Sequence, residues 1–249
     1  MTRPTQTILV TGGAGYLGCE VCRLAVEAGH DVVATQFRKP PPHGRPLQVD
    51  IREPFDVDVD VVVHTAYVQA DADTIVRGTR NVAAAAGRAG ARLIHLSTDL
   101  VFDGEHAPYT EADAPRPVSE YGRAKLEAES LVGDGLIVRT SLLYGKPGPQ
   151  EALAARADAV FYEDEIRCPT RVDELAAALL ELAAADVTGV LHVAGPDAVS
   201  RLELARLLGA DNPRGAPTPP GRPRNVALDC SRAMGLLRTR LRGIRELPA

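Results

Sequence analysis

Valine-rich runs alternate with alanine-rich stretches along the first half of this chain, and this alternation constrains the fold more than any other feature. Segments 7–10, 31–35 and 59–63 have the composition of short strands, whereas 16–28 and 73–89 have that of helices, and a glycine follows each helical stretch. Alternating strands and helices are the sequence form of repeated βαβ units. The sequence therefore predicts an α/β fold, namely a Rossmann-like, doubly wound parallel sheet.

The alternation weakens after Tyr144. A proline-rich, polar connection over 99–118 follows a predicted strand, and in open α/β sheets such a position borders a ligand site. A Pro- and Gly-rich linker is predicted over 212–224. The remaining predicted strands are 47–50, 92–97, 136–140 and 190–194, and the remaining predicted helices are 119–131, 151–157, 172–185 and 200–208.

Composition excludes several classes of function. The net charge of −5, the absence of Trp and the aromatic share of 4% argue against a nucleic acid or an anionic membrane as partner. No stretch approaches the roughly 18 apolar residues of a membrane span, and Met1 to Pro4 lead directly into a strand without a signal-peptide core. We therefore expect a cytoplasmic protein.

The four cysteines do not form a disulfide scaffold in a chain of this length. Cys19 and Cys22 form a C-x-x-C pattern, but both lie on the first predicted helix, where cysteine behaves as a small apolar residue. Cys168 and Cys230 are isolated in the sequence. All four are predicted to be structural.

Gly12, Gly15 and Gly18 form a G-x-x-G-x-x-G turn between the first strand and the first helix. Residues without Cβ let the backbone approach a pyrophosphate, whose charge meets free N–H groups and the positive end of the helix. The position of this turn predicts a dinucleotide-binding site, with a purely structural turn as the alternative.

Cofactor choice depends on the end of the second strand. An acid there would accept hydrogen bonds from the ribose of NAD, whereas cations pair with the 2′-phosphate of NADP. Arg38 and Lys39 stand at this position and no acid does. The sequence therefore favours NADP, with NAD possible, and Asp50 is a candidate partner of the adenine amino group.

Tyr121 and Lys125 are four residues apart on a predicted helix, so their side chains share one face. A neighbouring ammonium stabilises a phenolate and makes the phenol a better proton donor near neutral pH. Thr98 ends a predicted central strand, where its hydroxyl can hold a substrate carbonyl. We predict that Thr98, Tyr121 and Lys125 form a catalytic centre.

At this point the chain resembles the extended short-chain dehydrogenase/reductases, most closely the dTDP-4-dehydrorhamnose reductases and related sugar-nucleotide-binding proteins. The resemblance implies an oxidoreductase that transfers hydride from NADPH to a keto-deoxysugar nucleotide or a similar small polar ketone. The chain departs from the family pattern at Leu100, where the family usually has tyrosine, and its 146–167 segment is shorter than the substrate-binding segment expected of the family. The motifs that carry the resemblance are TGGAGYLG (11–18), HLSTDLVFDG (95–104), PYTEAD (108–113), YGRAK (121–125), RTSLLYG (139–145) and RPRNVALDCSR (222–232).

Two alternatives remain open. One is a sugar-nucleotide epimerase or dehydratase, because dehydratases of this superfamily place an acid directly after the catalytic Thr and this chain has Asp99 there. The other is a non-catalytic, NADP-binding regulatory subunit. A homo-oligomer is possible in each case.

The predicted site residues fall into two groups, and the domain prediction follows them. Residues 1–145 are expected to form the NAD(P)-binding core with the catalytic residues, and 146–249 a small substrate-binding lobe interwoven with it. Cofactor contacts are predicted for Gly12, Gly15, Tyr16, Leu17, Gly18, Arg38, Lys39, Asp50, Ile51, His64, Thr65, Ala66, Tyr121 and Lys125. Substrate contacts are predicted for Thr98, Asp99, Phe102, Arg167, Thr170 and Arg222.

The remaining polar candidates are interpreted as structural. His64 is expected to act through its backbone and His95 to be a satisfied core residue. Glu163, Asp164 and Glu165 are interpreted as a solvated loop, because no other ligand-spaced groups accompany them. No metal site is predicted.

Overall fold

The computed structural model describes residues 5–145 and 147–246. Residues 1–4, which are expected to lead into the first strand without a signal-peptide core, lie outside the described residues, as do Lys146 and residues 247–249 of the predicted lobe. Within the described chain, no helix is both long enough and apolar enough to cross a bilayer.

The described residues contain short strands and helices in the order that the sequence predicts, together with several two- and three-residue strands. The strands are β1 (Thr7–Thr11), β2 (Asp31–Gln36), β3 (Arg45–Gln48), β4 (Val61–His64), β5 (Arg92–Thr98), β6 (Leu136–Thr140), β7 (Leu143–Tyr144), β8 (Val160–Tyr162), β9 (Ile166–Arg167), β10 (Thr170–Arg171), β11 (Gly189–His192), β12 (Val199–Ser200) and β13 (Arg214–Ala216). The helices are α1 (Tyr16–Glu27), α2 (Ala72–Ala89), α3 (Glu120–Glu129), α4 (Pro149–Ala154), α5 (Val172–Ala183), α6 (Arg201–Leu207) and α7 (Ser231–Leu236).

Seven strands form the main sheet in the order β11-β6-β5-β4-β1-β2-β3. The pairs β1–β2, β1–β4, β2–β3 and β4–β5 are parallel. Strand β4 is buried at all four residues, as expected of a strand that helices cover on both faces. The strand order reverses beside β1, and ligands of such sheets bind where this reversal separates the carboxyl ends.

Helix α2 shows how local sequence sets an element. Asp71 caps its first turn by accepting a hydrogen bond from the Thr74 backbone N–H, and Gly90 ends the helix in the left-handed conformation, with φ of 65°. Ile75 and Val82 lie on its buried face. Capping and apolar spacing therefore define the helix as the sequence predicts.

The chain divides into two compact units, each built from three segments. The first unit contains residues up to 97, 124–138 and 176–189, and the second contains 98–123, 139–175 and 190 onward. The second unit has its own apolar clusters, one of which contains Tyr144, Val199, Leu204 and Ile244. The predicted domain division at residue 145 stays a prediction.

One prediction about chain organisation is wrong. Segment 212–224 is not simply a linker, because β13 lies within it and pairs in parallel with β8. Thr218 is also anchored, since its backbone N–H and its hydroxyl both donate to Asp164 at 2.7 Å. These contacts join segments about fifty residues apart, which no local pattern announces.

Candidate active site

The glycine turn leaves no room for side chains. Gly12 has φ of +72°, and a Cβ there would lie 3.0 Å from the Ala66 Cα. A Cβ on Gly18 would lie 2.2 Å from the Gly12 carbonyl oxygen. The strand-to-helix turn therefore requires glycine at both positions, as the dinucleotide-binding prediction supposes.

Helix α1 begins directly at this turn without a side-chain cap. Gly15 is its N-cap, Tyr16 and Leu17 open it, and its first turn contains no acid. The first N–H groups of a helix have no partner within the helix and carry partial positive charge. This helix end fits the pyrophosphate of a dinucleotide.

Hydrogen bonds join the ends of β1 and β4. The Thr11 hydroxyl accepts from the backbone N–H groups of Thr65 and Ala66, each at 3.1 Å, and the Thr65 hydroxyl donates to the Thr11 carbonyl. His64 Nδ1 and Nε2 are hydrogen-bonded to the hydroxyls of Thr11 and Thr79. Burial lowers the pKa of His64 to about 3, so its imidazole is a neutral structural link.

The region after β2 carries an exposed cationic surface. Arg38 and Lys39 are exposed, and the guanidinium groups of Arg38 and Arg52 lie 5.4 and 5.7 Å from the centre of the Phe37 ring. Asp50 is bound by Arg52, whose Nη2 is 2.6 Å from Oδ2, and this hydrogen bond lowers the pKa of Asp50. Cations are thus available for a 2′-phosphate, while Asp50 already has a partner.

Ile51, which follows Asp50 and is also predicted to contact the cofactor, packs against helix α2. Its side chain is buried against Gly78 of helix α2, where a Cβ would lie 2.8 Å from the Ile51 Cδ1. The Ile51 carbonyl accepts a hydrogen bond from Asn81. These contacts fix the backbone that follows Asp50.

Lys125 is buried and held by the end of β5. Its ammonium donates to the Leu96 carbonyl, lies 3.3 Å from His95 Nε2, and lies 5.7 Å from the centre of the Tyr67 ring. Burial lowers the pKa of Lys125 to about 8, and the Glu129 carboxylate partly opposes this shift. Helix α3 carries Tyr121, which is partly buried, one turn before this lysine.

The prediction that His95 is a satisfied core residue is wrong in one respect. His95 is buried, but its Nδ1 has no hydrogen-bond partner among the described residues. Its Nε2 instead contacts Lys125. The apolar neighbours of His95 in the sequence predict a core residue, but in the structure its side chain contacts the Lys125 ammonium.

The start of helix α3 packs tightly against the segment that follows Thr98. A Cβ on Gly122 would lie 2.2 Å from the Leu100 carbonyl oxygen. Gly122 therefore lets this helix turn, next to Tyr121, approach the backbone two residues beyond Thr98. The glycine of Y-G-x-x-K is therefore required for packing.

Thr98 and Asp99 belong to a buried hydrogen-bond network in the second unit. The Thr98 hydroxyl accepts from the Leu100 N–H at 3.2 Å and donates to Asp99 Oδ1 at 3.1 Å. Asp99 also accepts from Ser141 at 2.5 Å and from two nitrogens of Arg167. The Asp99 side chain is fully buried and that of Arg167 is 5% exposed.

Glu165 extends this network and corrects the prediction of a solvated acidic loop. Its side chain is 1% exposed, with Oε1 3.5 Å from Arg167 Nη1 and Oε2 2.8 Å from Arg222 Nη2. Glu163 is exposed and Asp164 is half-buried. Glu165 is neutralised by Arg167, two residues further on, and by Arg222, 57 residues away. The acidic run alone is misleading because it does not show the distant partner.

Two predicted substrate residues have packing roles in the structure. Phe102 is fully buried, with its ring centre 4.1 Å from that of Tyr109. Thr170 is also fully buried, and its hydroxyl donates to the Cys168 carbonyl and accepts from the Gly195 N–H. Their predicted contacts with substrate stay predictions, and neither side chain is exposed here.

The cysteines are free thiols. Cys22, Cys168 and Cys230 are buried, and burial raises the pKa of Cys22 to about 12, whereas Cys19 is partly exposed. Among the described residues, no cluster of three or more His, Cys, Asp or Glu has the arrangement of a metal site.

Sequence reasoning missed Ser141, Glu165 and Arg52. Ser141 lies within RTSLLYG, so the motif offered a signal for it. Arg52 follows Asp50 by two residues, a spacing too common to be informative. Nothing in the local sequence indicates that Glu165 is buried.

Comparison with known proteins gives a consistent result. A sequence profile described as the RmlD substrate binding domain matches residues 6–246. The chain is 35% identical to the probable low-salt glycan biosynthesis reductase of Haloferax volcanii, over 92% of this chain and 91% of that protein. It is 34% identical to the dTDP-4-dehydrorhamnose reductase of Mycobacterium tuberculosis, over 87% and 80%.

A solved structure is similar over nearly the whole fold. The crystal structure of a hypothetical dTDP-4-dehydrorhamnose reductase from Sulfolobus tokodaii superimposes with a TM-score of 0.81 at 27% identity, covering 94% of this chain and 95% of that one. The predicted Rossmann-like fold is thereby confirmed, as is the resemblance on which the expectations rest.

Proposed function

The chain belongs to the RmlD substrate binding domain family, and on this premise we propose that it is an NADPH-dependent reductase of a keto-deoxysugar nucleotide. The relatives named above as reductases support this proposal. Thr98, Tyr121 and Lys125 are the proposed catalytic residues.

The buried ammonium of Lys125 carries the proposal. An ammonium held mainly by one carbonyl and a histidine costs folding free energy, because burial removes its hydration. Proteins retain such costs at functional sites, where a perturbed charge has a task. One turn earlier on the same helix stands Tyr121, the residue whose acidity such a charge would tune.

The residues at the predicted cofactor site fit a dinucleotide. The glycine turn and the uncapped start of helix α1 would hold a dinucleotide, with Arg38 and Lys39 available to its 2′-phosphate. The Thr65–Ala66 backbone, which Thr11 fixes close to Gly12, would contact it. The bound reduced nicotinamide would supply a hydride to the keto carbon of the substrate.

The protein residues handle the proton and the orientation. Tyr121 donates its phenolic proton to the oxygen that the hydride leaves negatively charged, so that a ketone and one proton become an alcohol. Lys125 stabilises the phenolate that remains. Thr98 holds the reacting oxygen beside the phenol, and solvent reprotonates Tyr121 after product release.

The geometry of Asp99 disfavours a dehydratase. A dehydratase would use this carboxyl as an acid or base on the substrate. Here both carboxylate oxygens are bound, one by Thr98 and Arg167 and the other by Ser141 and Arg167. The Asp99 oxygens are thus bound by protein donors, and the side chain is fully buried.

A turnover assay tests the proposal. Purified protein with NADPH is offered a panel of keto-deoxysugar nucleotides and simpler ketones, and NADPH oxidation is compared with product mass. We expect one NADPH consumed for each alcohol formed, and preference for the nucleotide-linked substrates. An epimerised or dehydrated product without net NADPH loss would indicate the epimerase or dehydratase. Tight NADPH binding without turnover of any substrate would indicate a regulatory subunit.

A further inference from the structure

We infer that Arg167 is a positioning residue that acts through Asp99 on the Thr98 hydroxyl, and that it is not a ligand of the substrate. This inference rests on the proposed function, because it concerns the residue proposed to hold the reacting oxygen. It replaces the sequence-based prediction that Arg167 contacts the substrate.

The nitrogens of Arg167 are already engaged. Nε lies 2.7 Å from Asp99 Oδ2, Nη2 donates to Asp99 Oδ1, and Nη1 lies 3.5 Å from Glu165 Oε1. A guanidinium binds a carboxylate or phosphate most strongly through its planar fork. The Arg167 fork is occupied by Asp99, and its side chain is 5% exposed.

Asp99 is held from a second direction. Ser141 donates to Asp99 Oδ2 at 2.5 Å, and the Ser141 hydroxyl itself accepts from the Cys168 N–H at 3.2 Å. Cys168 is the neighbour of Arg167 in the sequence. The residue after strand β6 and the last residue of strand β9 therefore hold one carboxylate together, and a buried group with this many donors has little freedom to turn.

The held carboxylate determines the direction of the Thr98 hydroxyl. A hydroxyl has one proton to donate, and Thr98 donates it to Asp99 while accepting from the Leu100 N–H. These two contacts fix the position of Thr98 Oγ1 in the protein without substrate. When a keto substrate binds, the same proton turns about the Cβ–Oγ1 bond from Asp99 to the substrate oxygen, while the Leu100 N–H continues to hold Oγ1. Asp99 thus orients Thr98, and Arg167 and Ser141 orient Asp99.

Such an arrangement predicts a specific kinetic signature. Misplacing a group that acts in the transition state lowers kcat, whereas losing a substrate contact that is equally strong in the ground state raises KM. The inference therefore predicts that Arg167→Lys, which keeps the charge but loses the paired contacts, lowers kcat and leaves KM for the keto sugar nearly unchanged.

A double-mutant cycle with Thr98 gives the decisive test. Arg167→Lys, Thr98→Val, the double variant and the wild type are compared for kcat and KM on the best substrate of the panel. We expect a kcat loss of about tenfold for Arg167→Lys and about a hundredfold for Thr98→Val, with the double variant no slower than Thr98→Val. Arg156→Lys is the matched control, because Arg156 makes an exposed ion pair with Asp158, and its kinetics should equal those of the wild type.

A second variant covers the case in which Arg167→Lys does not fold. Ser141→Ala removes one donor to Asp99 and leaves the ion pair, so it should lower kcat less and show the same loss of effect in the Thr98→Val background. Circular dichroism and NADPH affinity report whether each variant is folded.

The outcomes separate this inference from the proposed function. A several-fold rise in KM for Arg167→Lys at unchanged kcat makes Arg167 a substrate ligand and overturns the inference. Effects that multiply in the double variant also overturn it, because Arg167 then acts independently of Thr98. Both results leave the reductase intact. A wild type without turnover, or a Thr98→Val variant with full activity, overturns the proposed catalytic assignment and this inference with it.

Discussion

The buried ammonium of Lys125 lies 3.3 Å from Nε2 of His95, a residue of strand β5, which ends at Thr98. Burial, with the Lys125 charge as a further cause, holds the pKa of His95 well below its usual value. The imidazole is therefore neutral and accepts a hydrogen bond from the ammonium. Lys125 is thus positioned by strand β5 while its charge remains poorly compensated, a combination that has measurable consequences.

Replacing Lys125 with Met is expected to stabilise the cofactor-free protein near neutral pH. Below about pH 8 the folded protein carries a buried ammonium, which the unfolded chain keeps in water. Removing that charge should raise the free energy of unfolding by about 1 to 3 kcal/mol at about pH 7. Because the folded protein loses this proton above about pH 8 and the unfolded chain only near 10.5, the gain should shrink toward about pH 10.

Urea denaturation at several pH values measures this effect. Arg123→Met, on an exposed position of the same helix, is the control and should change stability by less than about 0.5 kcal/mol. The same Lys125→Met protein should lose both turnover and NADPH affinity. A destabilised Lys125→Met variant at neutral pH would mean that the contacts with Leu96 and His95 outweigh the burial of charge.

Tyr121→Phe is expected to separate binding from chemistry. The change removes one hydroxyl and almost no volume, so the fold and the NADPH affinity should persist. Loss of the proton donor should reduce kcat by about a hundred- to ten-thousand-fold. Stopped-flow measurement of NADPH oxidation, with NADPH affinity from fluorescence, provides the comparison. Full activity in this variant would remove Tyr121 from the mechanism.

Gly18→Ala is expected to damage the cofactor site. Its Cβ would lie 2.2 Å from the Gly12 carbonyl oxygen, a backbone atom that cannot move without opening the turn. We expect a loss of roughly 1 to 3 kcal/mol in stability and strongly weakened NADPH binding. Gly87→Ala in helix α2 is the matched control, since nothing lies within 4 Å of its Cβ position, and it should stabilise by about 0.5 to 1 kcal/mol. Equal behaviour of the two variants would contradict this account.

Arg38→Ala combined with Lys39→Ala is expected to remove the preference for NADPH. A 2′-phosphate paired with one or two partly exposed cations gains about 1 to 3 kcal/mol, or roughly 5- to 150-fold in affinity. Titration of both reduced cofactors should show tighter NADPH binding in the wild type and similar affinities in the double variant. Arg88→Ala, which loses an exposed ion pair with Asp56, serves as the control. Equal affinities in the wild type would show that the basic pair is surface only.

The sequence by itself determined the order of the main elements and the places of two motifs within them. Strand β6 has the predicted bounds, and helices α1, α2 and α5 begin within one residue of prediction. These features are local: apolar periodicity, capping residues, glycine in a turn and a four-residue spacing on a helix all act between neighbours in the chain. The positions of Tyr121 and Lys125 on one helix, and of the glycine turn between the first strand and the first helix, could be predicted for this reason.

Tertiary structure alone decided which charges are buried and what they bind. Asp99 and Arg167 are 68 residues apart in the chain. Glu165, besides its contact with nearby Arg167, is neutralised by Arg222 of segment 212–224, which is 57 residues away. The pairing of β8 with β13 is likewise long-range. A local sequence pattern predicts that a carboxylate lies on the surface, because removing it from water costs free energy. A cation that the fold brings beside the carboxylate offsets this cost, and the neighbouring sequence does not show where in the chain a distant cation lies.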